Sequence, residues 1–422
     1  MRLPKYSLGV GDRFARQGVA QLDAFVRACH EGLLVAPVWN KSYREHRIVG
    51  SSPGDVRQEA DSAVAARGWS GPYFVDADHV GLKTVDWFVE ASDFFTLDVA
   101  DFIGAKPSAA SADAVKHLQR YVGRLAIAGI EEELEISRQT IDSAAGKYLA
   151  AVEAAAEIYR HLAEVKGDDA MVIEVSMDET DQPQTPVELL LILAALAELR
   201  VPLQTVAPRF VGRFHKGVDY VGDVSRFARE FEEDLAVIRF AVREFGLPEN
   251  LKLSIHSGSD KFSLYGPMQS ALRKFDAGIH LKTAGTTWLE ELIGLAAAGG
   301  DGLAVAKDIY RAAYARREEL CAPYAAVIDI RPAALPSAET VASWTEEQFV
   351  AALRHDAKCR QYNPDLRQLL HVSYKVAAEM GDTFRRASER HAETIAANVL
   401  ENIYQRHLRP LLLEPSGPKQ LD

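Results

Sequence analysis

Cysteine is scarce in this chain. Cys29, Cys321 and Cys359 lie far apart and form neither a CxxC pair nor metal-knuckle spacing. Such a sparse, odd set suits a reducing compartment and excludes a disulfide scaffold. Positive charge is also short: 48 Lys and Arg stand against 60 Asp and Glu, a net charge of -12. Phosphate backbones are bound by basic surfaces, so a nucleic-acid partner is not expected. Long apolar runs are missing. The best, VELLLILAALAELRV, carries charges and fits a buried helix better than a membrane span. The N-terminal MRLPKYSLGV lacks the charged start and apolar run of a signal peptide. These absences together predict a soluble cytoplasmic protein that touches no membrane. GVGDRF is only weakly like a phosphate loop: GxGxxG and Walker spacing are absent, as is a GxSxG elbow. No nucleotide cofactor is expected.

What is present is a regular alternation. Short apolar runs at 6–12, 33–40, 73–79, 94–100, 171–179, 203–210, 251–258 and 278–285 read as strands. Amphipathic stretches such as GVAQLDAFVRACHEG and TPVELLLILAALAELR lie between most of them. Strands alternating with helices predict parallel βα units, and eight such units predict a (β/α)8 TIM barrel. An open doubly wound sheet is the alternative. The expected core spans 1–101 and 169–302. Residues 102–168, without strand character, read as a helical insertion after the fourth strand. Residues 303–422 read as a helical C-terminal extension. A ninth apolar run, YAAVIDI at 324–330, competes for a place among the strands.

Barrels carry their chemistry at the C-terminal ends of the strands. There this sequence turns polar: WNKSYREH, DADH, MDETD, PRF and HSGSDK stand at the ends of the second, third, fifth, sixth and seventh runs. Period-2 alternation sorts the faces. Lys252, Ser254 and His256 share one face of their strand, Glu174, Ser176 and Asp178 one of theirs, and His280 and Lys282 one of theirs. Polar faces converging inside a barrel require partners or a metal. His79, His256 and His280 each lie on or at the end of a predicted strand, and three imidazoles can make a catalytic divalent site. Asp178 or Glu179 can replace one of them, and Asp76 and Asp78 flank His79. Each histidine alone reads more readily as a core or turn residue; three on converging strands favour a metal. Arg13, Lys41, Arg209, Lys261 and Lys282 can bind an anionic substrate or pair with the many carboxylates. His371 sits on a helix, where a partly buried structural histidine is the plain reading.

Longer blocks carry a resemblance. MDETDQPQTP, LQTVAPRFVGRFHKGVDYVGD, KLSIHSGSDKFS and IHLKTAGTTWLEEL resemble the tagaturonate/fructuronate epimerases of hexuronate catabolism. GVGDRFARQGVAQL, PVWNKSYREH and GPYFVDADHV resemble blocks of the same family. The resemblance covers roughly residues 6–100 and 171–295. It implies a divalent-metal-dependent epimerase of a keto-sugar acid, the ion being Zn, Mn, Fe, Co or Ni. It implies His79, His256 and His280 as metal ligands. It implies Asp78 and Glu179 as the acid/base pair, with Asp178 the rival of Glu179. Arg209, Lys282 and Lys261 are then the expected carboxylate binders, with Lys41 and Arg13 behind them and Asp260 on the substrate side.

The chemistry narrows the route. Tagaturonate and fructuronate differ at a carbinol carbon β to the ketone, which simple enolisation cannot invert. Retro-aldol cleavage and re-addition can. The competing readings are a metal-dependent sugar isomerase or α-epimerase working through an enediolate, a class II-like aldolase, and a non-catalytic sugar-acid-binding protein. A homo-oligomer is compatible with all of them.

Overall fold

The computed structural model describes residues 1–108, 118–178, 180, 182–283 and 285–413. Eight parallel strands close into a barrel: β1 (Tyr6–Val10), β2 (Ala36–Ser42), β3 (Phe74–Val80), β4 (Phe94–Asp98), β7 (Val172–Ser176), β8 (Thr205–Ala207), β9 (Lys252–His256) and β10 (Ile279–Lys282). Their order around the barrel is β1-β10-β9-β8-β7-β4-β3-β2. The eight runs expected from sequence are these eight strands. The ninth, 324–330, is not a strand: a 3-10 turn at Ala322–Tyr324 leads into an irregular segment.

Alternation along the strands makes two different interiors. Leu8, Trp39, Val75, Phe95, Leu253 and Leu281 point outward and join the main core beneath the helices. Inside the barrel, Leu3, Ala36, Val38, Phe74, Phe94 and Val172 form a separate apolar plug at the N-terminal end. Above that plug the lumen is polar. The helices that drive this closure are conventionally punctuated. Thr185 and Glu188 cap the helix Pro186–Glu198 reciprocally, with Pro186 at its first position. Ser42 and Glu45 do the same for Tyr43–Val49, which ends at Gly50 in the left-handed conformation.

The segment between β4 and β7 departs from the all-helical expectation. It holds an antiparallel ribbon, β5 (Gly123–Leu125) with β6 (Leu134–Ile136), before the long helix Arg138–Lys166. Strands of three residues are too short to show a period of two, so the sequence pattern could not display them. No helix among the described residues is long and apolar enough to cross a membrane.

The C-terminal region is helical and packs on the barrel's last helix, Thr286–Ala298. The approach is close: a methyl group added at Gly294 would sit 2.6 Å from the Ile395 Cα. Gly294→Ala is therefore expected to cost about 1–3 kcal/mol by overpacking. Gly146→Ala, which meets open space within the helix Arg138–Lys166, should instead stabilise by about 0.5–1 kcal/mol. Parallel chemical denaturation of the two variants checks both signs.

Candidate active site

The upper lumen is built around one buried ammonium. Lys282 Nζ lies 2.8 Å from Asp76 Oδ2, 2.8 Å from Asp78 Oδ1 and 3.0 Å from Glu174 Oε1. It also donates to the Thr96 hydroxyl. Burial opposes the charged form of Lys282, but the three carboxylates hold its pKa well above the ordinary value. Burial pushes the Asp76 carboxyl up to about 7 despite Lys282. Burial also works to raise Asp78, yet Lys282 and His79 hold it below the usual carboxylate range.

Two imidazoles sit at the C-terminal rim of this network. In a regular strand His79 would face away from Asp76 and Asp78. The β3–β4 pairing instead shifts register between Ala77 and Val80, and His79 takes a φ of +54°. Such a bulge re-aims a side chain, at a backbone cost of about 1–3 kcal/mol. His79 Nδ1 lies 3.2 Å from Asp98 Oδ2, and its Nε2 lies 3.8 Å from Asp78 Oδ1. His256 Nε2 is 2.8 Å from Glu174 Oε1. Its Nδ1 is buried without a hydrogen bond, 3.3 Å from Asp178 Oδ1. The two rings stand edge to face, 5.1 Å apart.

His79, Asp178 and His256 each offer one ligand atom within 4.8 Å of the others. Each imidazole has one nitrogen tied to a carboxylate and the other turned toward a second carboxylate. Tying one ring nitrogen to an acid is how metal-binding histidines are commonly oriented. The charge balance points the same way. Asp76, Asp78 and Glu174 surround Lys282, while Asp98 and Asp178 face the two imidazoles, so with neutral imidazoles the pocket holds an excess of negative charge. Burial lowers both imidazoles, but Asp78 and Asp98 bring His79 up to about 10, and Asp178 brings His256 up to about 9. The site collects cationic charge, as a divalent ion exchanging for protons requires.

His280 lies elsewhere. In the β9–β10 register Lys282 is level with His256, whereas His280 is level with Ser254, about 6.6 Å lower along the strand. Its Nδ1 is 2.8 Å from the Ser7 hydroxyl, and burial brings it down to about 3. It is not part of the group formed by His79, Asp178 and His256. Glu179 falls outside the described residues.

The basic candidates divide sharply. Lys282 is enclosed by its carboxylates. Arg13 pairs with Glu45 at 2.6 Å and stacks on Tyr374, and Lys41 donates to the Arg13 carbonyl at 2.7 Å. Lys261 donates to the carbonyls of His215 and Val218, and burial lowers its pKa to about 7. Asp260 is fully buried, 2.8 Å from Arg367 Nη2, 3.1 Å from His355 Nδ1 and 3.4 Å from His407 Nε2. Arg209 alone of the five cations is half-buried at the rim and pairs with no carboxylate among the described residues. His371 is buried, its Nε2 3.3 Å from the Gly258 carbonyl.

Asp98 and Arg367 were not singled out from sequence. Alternation in FFTLD does place Asp98 on the face shared by Phe94 and Thr96. Nothing local marks Arg367. It donates to Gly217 O at 2.7 Å, to Leu353 O at 2.8 Å and to Asp260, so it ties the loops after β8 and β9 to the C-terminal region.

A closed parallel barrel with imidazoles and carboxylates gathered at its C-terminal rim defines an enzyme acting on a small polar substrate. The chain belongs to the tagaturonate epimerase (UxaE) family, whose model matches residues 1–409, and is thus a carbohydrate epimerase of the isomerase class. It is 28% identical over 418 residues to the tagaturonate/fructuronate epimerase of Thermotoga maritima, covering 94% of this chain and 80% of that protein. It is 25% identical to the fructuronate-tagaturonate epimerase of Cohnella laeviribosi. The native crystal structure of that enzyme matches with a TM-score of 0.80, covering 96% of this chain and 81% of that one. A two-glycerol complex matches at 0.81, covering 98% and 83%.

Removing Lys282 tests the architecture of the site. Lys282→Met leaves three buried carboxylates without their cation, and should cost about 3–5 kcal/mol. Urea unfolding against the wild type measures this, and an unchanged midpoint would contradict it.

Proposed function

We propose that this enzyme interconverts tagaturonate and fructuronate by metal-assisted retro-aldol cleavage and re-addition. The observation that carries the reading is the convergence of His79, His256 and Asp178, in a chain whose relatives bear that activity by name. Two imidazoles and a carboxylate form a donor set suited to Zn, Mn, Fe, Co or Ni and leave positions open for substrate. When bound, the ion would polarise the ketone and stabilise the negative charge that develops beside it.

The chain's own groups move the proton. Asp78, kept ionised by Lys282, accepts the proton of the β-hydroxyl. The bond between the α and β carbons breaks, its electrons pass to the carbonyl to give an enediolate, and the β carbon becomes an aldehyde. The aldehyde turns, the enediolate re-adds to its other face, and a proton returns to the new alkoxide. Glu179, which follows Asp178 directly, is the second member of the proposed acid/base pair. Lys282 retains its proton throughout and holds Asp78 in place. The apolar plug beneath the lumen closes the barrel floor to substrate.

Two measurements test this. His79→Ala and His256→Ala should each lose most of the bound metal by elemental analysis, while Asp78→Asn keeps the metal and loses about 100-fold or more in kcat. Turnover in D2O should leave the inverted carbon free of deuterium. Full activity in metal-stripped protein, or deuterium at that carbon, would sink the proposal; deuterium at the carbon next to the carbonyl would instead favour an isomerase or α-epimerase route.

A further inference from the structure

A uronate brings a fixed negative charge to a lumen that is already acidic. Its carboxylate cannot be seated among Asp76, Asp78, Glu174 and Asp178, so a cation outside the lumen has to receive it. The other four candidate cations, Arg13, Lys41, Lys261 and Lys282, are buried and otherwise engaged, as set out above. We propose that Arg209 and the cavity behind it form the seat of the substrate carboxylate. This inference rests on the keto-uronate reading and names the group that selects the acid over the neutral sugar.

The cavity has a volume of about 270 Å³ and is lined by Arg209, Arg213, Phe214, His215 and the segment Ala325–Asp329. Its one acid, Asp329, is exposed and lies 3.9 Å from Arg213. The remaining charge in the wall is basic. Arg209 connects this cavity with the proposed reaction centre. Its Nη1 makes a long 3.5 Å contact with the carbonyl of Asp178, one of the three grouped ligand residues. A guanidinium whose one side-chain partner among the described residues is a weak neutral carbonyl keeps its fork open for a carboxylate, which it can hold through two parallel hydrogen bonds.

The seat is built rather than incidental. Buried Gln184, from the loop after β7, accepts the Arg209 N–H through its side chain and donates its own N–H to the Arg209 carbonyl at 3.0 Å. The loop after β8 is stiffened by paired backbone bonds between Arg213 and Val221 at 2.9 and 3.1 Å. The opposite wall is the apolar run that resembled a ninth strand. Val327 O accepts from Lys216 N at 2.8 Å, and Asp329 N donates to Gln368 Oε1 at 2.8 Å. The C-terminal region therefore supplies one side of the pocket that reads the substrate's charge.

The test compares Arg209→Gln with the wild-type holoenzyme on a keto-uronate and on a neutral ketohexose. The variant should keep its metal. Its kcat/KM for the keto-uronate should fall roughly 10–100-fold, the worth of a charge-assisted contact, while the ketohexose value stays unchanged. A second readout needs no turnover. Gluconate, an open-chain acid, should bind the wild type more tightly than glucitol, and Arg209→Gln should erase that difference. Equal losses on both substrates, loss of metal, or unchanged gluconate preference would each overturn the assignment. If the wild type turns over no keto-uronate, the epimerase reading fails, and the gluconate–glucitol comparison still decides whether Arg209 seats an acid.

Discussion

The ammonium of Lys282 is the interaction on which the site depends. Asp76, Asp78 and Glu174 could not occupy one buried space without it, because like charges at such separations would force protonation or unfolding. With the cation in place, two of those carboxylates turn toward the imidazoles the same oxygen that faces Lys282. Glu174 orients His256, and Asp78 faces His79. One buried charge thereby fixes the height and angle of both imidazoles, although it touches neither. Thr96 and Thr205 complete the arrangement: Thr96 bridges Asp76 and Glu174 at 3.0 and 3.2 Å, and Thr205 donates to Glu174 at 2.8 Å. The carboxylates are thus held by neutral donors as well as by charge, which suits groups that must stay in register while substrate charge shifts nearby.

Fold and face were legible in the sequence; height and partnership were not. Alternation in VIEVSMDE and KLSIHSG identifies the inward residues because the period of a strand is two. The same alternation cannot say how far up the lumen a residue stands, so His280 and His256 look equivalent until the strand register separates them by one layer. His79 is the reverse case. Its position in FVDADH makes it an outward residue by parity, and only a backbone bulge turns it in. The cations were equally ambiguous, because an arginine or lysine near the rim is recognisable while the acid that neutralises it is often distant in sequence. Asp260 and Lys261 illustrate this: they sit next to a loop glycine and serine in a suggestive motif, yet the groups that occupy them come from the β8 loop and from residues 355–407. The ribbon within the β4–β7 connection was hidden for another reason, its strands being shorter than any periodicity.

The region after the barrel has two roles in this structure. It covers the helix Thr286–Ala298, a packing role that an amphipathic sequence announces. It also reaches back to the rim, where Ala325–Asp329 forms a wall and Arg367 joins two loops. The second role depends on single buried polar contacts and leaves no pattern in composition. Buried arginines of this kind are costly to place and are well satisfied here, with carbonyl and carboxylate acceptors on three separate elements.

The same tie has a consequence for the order of events during synthesis. The eighth strand of the barrel ends at Lys282, so every strand is available once roughly two thirds of the chain has been made. Asp260 then has neither Arg367 nor the two histidines to meet it, and the loops after β8 and β9 have no common anchor. Closing the sheet and arming the site are therefore separate steps, the second waiting for the last helices to be translated. An unfinished chain of this protein would hold its strands together before it could hold its catalytic loops.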